Sequence, residues 1–200
     1  MSYLIEIAII LILIVLNGIF ALSEFAIVSA KRARLQQRAD EGDAGAATAL
    51  ELAIEPTPFL STIQIGITFV GIFAGAFGGA TVAEGLAMYF TATPSLAPYA
   101  EALSITLVVL IITYLTLIFG ELVPKRIALN NAEKLAATVA KPMRFLSVIA
   151  TPLVFVLSRS TEAVLRVMGI RETEEPPVTE EEIRSCSKRG PRLGSLRRLN

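Results

Sequence analysis

Residues 7–23 read IAIILILIVLNGIFALS without a charge, and after Glu24 the apolar run resumes as FAIVSA to Ala30. At 1.5 Å per residue this stretch makes a helix of about 36 Å, enough to cross a hydrocarbon core of about 30 Å with some tilt. Two further runs share its character. Residues 59–83 are uncharged, open after Glu55-Pro56-Thr57-Pro58, and carry Gly66, Gly71, Gly75, Gly78 and Gly79. Residues 102–120 are uncharged and end at Glu121 and Pro124-Lys125-Arg126. The expectation is an all-α membrane protein with three transmembrane helices, at about 4–30, 59–90 and 102–123, and a cytoplasmic juxtamembrane amphipathic helical belt at about 131–169.

Composition agrees with a chain whose solvent is the bilayer. Of its 200 residues 54% are hydrophobic, and Lys plus Arg balance Asp plus Glu at 18 each. Mean hydropathy is +0.63, too apolar for an ordinary soluble core. A single cysteine, Cys186, rules out an internal disulfide, and the absence of histidine rules out most zinc, haem and serine-triad chemistry. Any metal would be held by oxygen. The chain begins Met-Ser-Tyr-Leu-Ile-Glu, with no Lys or Arg before Lys31, so the first segment reads as a retained span rather than a signal peptide.

Basic residues flank the spans unevenly. Lys31, Arg32, Arg34 and Arg38 follow the first, and Lys125, Arg126, Lys134, Lys141 and Arg144 follow the third. The loop at 91–101 has no basic residue. By the positive-inside rule the basic segments are cytoplasmic and the amino terminus is outside. A fourth apolar stretch, 145–157, is interrupted by Pro152 and too short to be counted as a span. From Arg159 the pattern turns amphipathic, with Ala163, Val164, Val167 and Met168 among Arg159, Glu162 and Arg166. An acidic linker is expected over 171–183, with a capping box at Thr179 and Glu182. A disordered basic tail is expected over 184–200, read as a truncated end.

Polar groups within the spans are the candidate functional residues. Ser61, Gln64, Thr68, Gly71 and Gly75 recur at three- or four-residue intervals and so share one helix face. That face is either packing for a neighbouring helix or one wall of a polar path. Glu24 and Glu121 sit near the inner ends of the first and third spans, where a carboxylate faces a cavity, pairs with Lys31 or Lys125, or snorkels to the interface. Pro124 either ends the third helix or bends it so that carbonyls near residue 120 face an ion. Hydroxyls, an amide, carbonyls and carboxylates together suit Mg²⁺, Ca²⁺ or Na⁺.

Three strings in order, Asn17-Gly18-Ile19-Phe20-Ala21-Leu22-Ser23-Glu24-Phe25-Ala26, Leu60-Ser61-Thr62-Ile63-Gln64-Ile65-Gly66-Ile67-Thr68 and Phe119-Gly120-Glu121-Leu122-Val123-Pro124-Lys125, resemble the transmembrane domain of the cyclin M/CorC magnesium transporters. Bacterial members are often labelled hemolysin-like. The resemblance covers residues 1–183, with the transmembrane domain proper at 1–170. It implies a homodimer in the bacterial plasma membrane that moves Mg²⁺, as transported ion, against Na⁺. It places metal contacts at Ser23, Ser61, Gly120 and Glu121, to which the stripe adds Gln64 and Thr68, with Glu24, Pro124 and Lys125 in support.

Two departures qualify what the resemblance implies. Ile67-Thr68 stands where many members carry asparagine after the glycine of the second motif. Nothing in the chain matches the paired CBS domains that bind ATP in the family, so no ATP site is expected. Nor is nucleic-acid binding. A membrane scaffold or regulator without transport is the competing reading. A pore-forming toxin lacks a secreted amphipathic segment, and an enzyme lacks a nucleophile and base at working spacing.

Overall fold

The computed structural model describes residues 2–169, so the expected acidic linker and basic tail lie outside the described residues. Contacts divide the chain into two units, Met1–Val156 and Leu157–Asn200. The described residues are helical, with α1 at Ser2–Ser29, α2 at Arg32–Asp40, α3 at Ala44–Ile54 and α4 at Pro56–Phe77. A π turn at Gly78–Val82 leads into α5, Ala83–Thr91, and a short 3-10 turn at Ala97–Tyr99 into α6, Ala100–Leu117. A second π turn, Ile118–Leu122, joins α6 to α7, Val123–Asn130, and α8 runs from Ala132 to Val167.

Four described helical segments are long and apolar enough to cross a membrane: Leu4–Ser29, Pro56–Phe77, Ala97–Asn130 and Ala132–Val167. The all-α membrane architecture expected from the sequence stands, and the count of such helices is four rather than three. The difference lies in α8. Counting uncharged residues isolates 145–157, whereas the helix continues through Pro142 and Pro152 and reaches 36 residues. Each proline withdraws one N–H from the ladder, a loss that helices of membrane proteins tolerate.

Large apolar side chains face outward along the spans, among them Ile12 at 66% exposure, Ile72 at 66% and Leu110 at 61%. In water each would forgo about 1.5–3 kcal/mol of burial. In lipid they lose nothing, and the helices associate through close packing instead. The first helix is the hub: α1 packs against α3, α4, α6, α7 and both π turns.

The core of the first unit lies toward the end of α1 that carries Ala26 and Ile27. There Leu35, Ala46, Ala49, Phe59, Ile63, Ala128, Ala136 and Ala140 form one buried cluster. Alanine at 132, 136 and 140 repeats every four residues, so the first part of α8 presents a smooth stripe. Gly45 lets it come close, because a Cβ there would collide with the Ala137 carbonyl oxygen.

The α2–α3 hairpin turns at Gly42, whose φ of +95° favours glycine. Asp43 then caps α3, accepting from the Gly45 and Ala46 amides at 2.9 and 3.0 Å. Arg38 Nη2 donates to its other oxygen at 2.6 Å. Arg32 donates to the Ala53 carbonyl at 2.8 Å, and Arg144 pairs with Glu51. In the second unit, described over residues 157–169, Arg159 pairs with Glu162 on successive turns of α8.

Gly45→Ala should cost about 1–3 kcal/mol by forcing α3 away from the α8 backbone, read as a fall in the melting temperature of the detergent-solubilised chain. Asp43 supplies a pH test. The Ala46 amide first, then the Arg38 guanidinium, hold its carboxyl below its ordinary value. A depressed folded value means that the stabilisation is complete above pH about 4 and is lost as pH falls through the folded value. Asp43→Ala should therefore melt earlier than the parent at pH 7, with the gap closing in acid.

Candidate cation site

The second π turn is built where proline breaks the ladder. In a regular α-helix the N–H of residue 124 would bond to the carbonyl of residue 120, and Pro124 has none to give. The Gly120 carbonyl accepts instead from Asn17 Nδ2 of α1, at 3.0 Å in a buried contact. Asn17 is only 6% exposed, so its amide is committed to this bond. π turns inside α-helices are frequent at functional sites.

Glycines on both sides allow the approach. A Cβ at Gly18 would stand 2.8 Å from the Phe119 carbonyl oxygen and 3.1 Å from Pro124 Cγ. A Cβ at Gly120 would stand 3.0 Å from Asn17 Nδ2 and 3.4 Å from the Ile14 carbonyl oxygen. Backbone therefore meets backbone here, and carbonyl oxygens of one helix lie against the other.

Glu121, in the same π turn, is half-buried and pairs with Lys125 Nζ one turn on. That ammonium also lies 4.8 Å from the Phe25 ring centroid, a cation–π contact tying α7 to α1. Glu24, the neighbour of Phe25, is half-buried. Ser23 is fully buried and donates to the Ile19 carbonyl at 2.7 Å. Its proton is thereby directed along α1, leaving the oxygen lone pairs as acceptors.

The expected stripe on α4 divides. Ser61 is half-buried, while Gln64, Thr68, Gly71 and Gly75 are exposed. Thr68 donates to the Gln64 carbonyl of its own helix at 2.8 Å. A Cβ at Gly71 or Gly75 would meet nothing within 4 Å. The inward face of α4 carries Phe59, Ile63, Val70 and Ala74 instead, with the Phe20 ring of α1 seated on Gly66. Among the described residues, no hydrogen bond links Ser61, Gln64 or Thr68 to α1 or to the second π turn.

The bonds thus join Asn17 with Gly120 and Glu121 with Lys125, and the α4 members stand apart from both. Among the described residues there is no cluster of three His, Cys, Asp or Glu side chains able to hold a metal. A cation held here would draw on carbonyl and hydroxyl oxygens with a single carboxylate, a hard-oxygen set compatible with Mg²⁺.

The cyclin M transmembrane N-terminal domain matches residues 8–198. The chain belongs to this family. A UPF0053 protein of Synechocystis is 52% identical over 191 residues, covering 96% of this chain and 43% of that protein. UPF0053 protein YugS of Bacillus subtilis is 29% identical over 177 residues, 88% of this chain and 41% of that one. The polyamine export protein of Escherichia coli is 29% identical over 193 residues, 96% and 43% respectively. The chain spans less than half the length of these relatives.

Asn17 is the residue that reading the sequence missed. It stands in the first family string, yet its role appears only when residue 120 is brought across from 103 positions away. A signal was present: a lone asparagine in an uncharged run needs a partner, and Pro124 marks a carbonyl that lacks one. Asn17→Leu leaves the Gly120 carbonyl buried without its donor and should cost about 1–3 kcal/mol, measured as a lowered melting temperature.

Proposed function

We propose that this domain transports a divalent cation, Mg²⁺, across the bacterial plasma membrane in exchange for Na⁺, as a homodimer in which α1, α4 and α6 with α7 cross the bilayer and α8 lies at the cytoplasmic interface, with the amino terminus outside and the carboxyl end in the cytoplasm. The observation that carries the reading is the second π turn of a cyclin M family member. Pro124 takes a backbone donor away from Gly120, so a carbonyl and the Glu121 carboxylate occur together in a membrane helix. An unpaired carboxylate is costly there. Lys125 satisfies it and acts as a tethered substitute for the cargo. An arriving cation takes over Glu121 as Lys125 withdraws, and its departure restores the ion pair.

Ser23 adds a hydroxyl oxygen already oriented by Ile19. The open Gly71 and Gly75 backbone on the outer side of α4 supports close approach by a second copy.

A second reading follows from one relative, named a polyamine export protein. Glu24 and Glu121 would suit an amine cation as well as a metal. Flux into proteoliposomes separates the two. With Mg²⁺ as cargo, uptake should depend on a Na⁺ gradient and fall about tenfold or more in Glu121→Gln, since a charge-assisted contact is worth about 1.5–3 kcal/mol. Putrescine flux without Mg²⁺ flux would establish the second reading. Flux of neither would leave the scaffold role.

A further inference from the structure

At the far end of α7 from the second π turn, a polar cleft of about 400 Å³ is lined by Arg34, Gln37 and Arg38 of α2, Asn130 and Asn131 at the α7–α8 junction, and Glu133 and Lys134 of α8. We propose that this cleft binds a phosphate group, either the headgroup of an anionic phospholipid or a free phosphate anion. This goes beyond the transport reading and does not depend on it.

Charge is the first argument. The lining carries three cations against one carboxylate, and that carboxylate holds its partner loosely. Arg34 lies 3.4 Å from Glu133 with its side chain 64% exposed. Exposed pairs of this kind contribute about 0–1 kcal/mol, so Arg34 is cheaply recruited by a stronger anion. Arg38 is held by Asp43 through Nη2 alone, which fixes the guanidinium while its other donors remain for a ligand. Among the described residues Lys134 makes no ion pair. A guanidinium fork beside an ammonium and the side-chain amides of Asn130 and Asn131 is donor chemistry suited to phosphate oxygens, while the third amide of the lining, Gln37, donates to Glu41.

The backbone adds to it. The first bond of α8 runs from the Leu135 N–H to the Asn131 carbonyl. The N–H groups of Ala132, Glu133 and Lys134 therefore precede the helical ladder, at the positive end of a 36-residue helix. Of these, Glu133 and Lys134 border the cleft.

Position is the third argument. Asn130 and Asn131 join two segments long and apolar enough to cross the bilayer, Ala97–Asn130 and Ala132–Val167. The α2 helix that supplies the arginines begins three residues after α1, a third such segment, has ended. A cleft at the ends of spanning segments lies at headgroup depth, where phosphates are most concentrated.

The full chain in mixed micelles would be given dioleoyl phosphatidic acid against phosphatidylcholine, with retained lipid read by native mass spectrometry, and inorganic phosphate in a parallel arm read by melting temperature. The proposal expects selective retention of phosphatidic acid, or a melting shift with inorganic phosphate, reduced about tenfold in R34Q/K134Q. It expects no change in Arg144→Gln, whose partner is Glu51 outside the cleft. Should the double variant fail to fold, Lys134→Gln alone, at an exposed position, is expected to lose roughly threefold. Response to the lipid but not to free phosphate identifies a headgroup site, and the reverse a soluble anion. Binding of neither probe, binding indifferent to Arg34 and Lys134, or an equal loss in Arg144→Gln would overturn the proposal.

Discussion

The contact on which the bundle turns is the hydrogen bond from the Asn17 amide to the Gly120 carbonyl. A proline inside a membrane helix creates an acceptor with no donor, and lipid supplies none. The chain resolves this with a side chain from another helix. Once that bond is made, much else is constrained: residue 18 must be glycine-sized, α6 must pass into α7 through a π turn, and Glu121 is set one turn before Lys125. Asparagine inside an otherwise apolar helix is costly alone and specific when paired. The bond therefore fixes register as well as stability.

Two kinds of packing hold the rest, because the described residues meet two solvents. Along the spans, aliphatic side chains point outward and association rests on close backbone approach. Toward α2, α3 and the start of α8, alanines and Leu35 gather beneath a polar surface stapled by Arg32, Arg38 and Arg144. There hydrophobic burial operates in the ordinary way. The same region holds the basic cleft, so Arg38 both fixes the hairpin through Asp43 and lines that cleft.

Membership of the cyclin M family places the chain among membrane proteins, while transport and its substrate are matters of proposal. The electrostatics are economical. A carboxylate already neutralised by a side-chain ammonium can, in the proposed exchange, trade one cation for another without leaving a bare charge within the membrane.

By itself the sequence determined the class of solvent, the helical content, three of the four long apolar segments and the strings that carry the family. Uncharged length and the distribution of Lys and Arg are local properties, and the bilayer reads them directly. Tertiary structure decided what lies between segments. It carried α8 through Pro152, which the sequence reading took as an interruption of the apolar run, and it turned Gln64 and Thr68 outward, because a shared helix face does not say which neighbour that face meets. It also gave Asn17 its partner. A residue's own helix announces that a polar group needs satisfying, but only the packing of two helices distant in sequence says by whom.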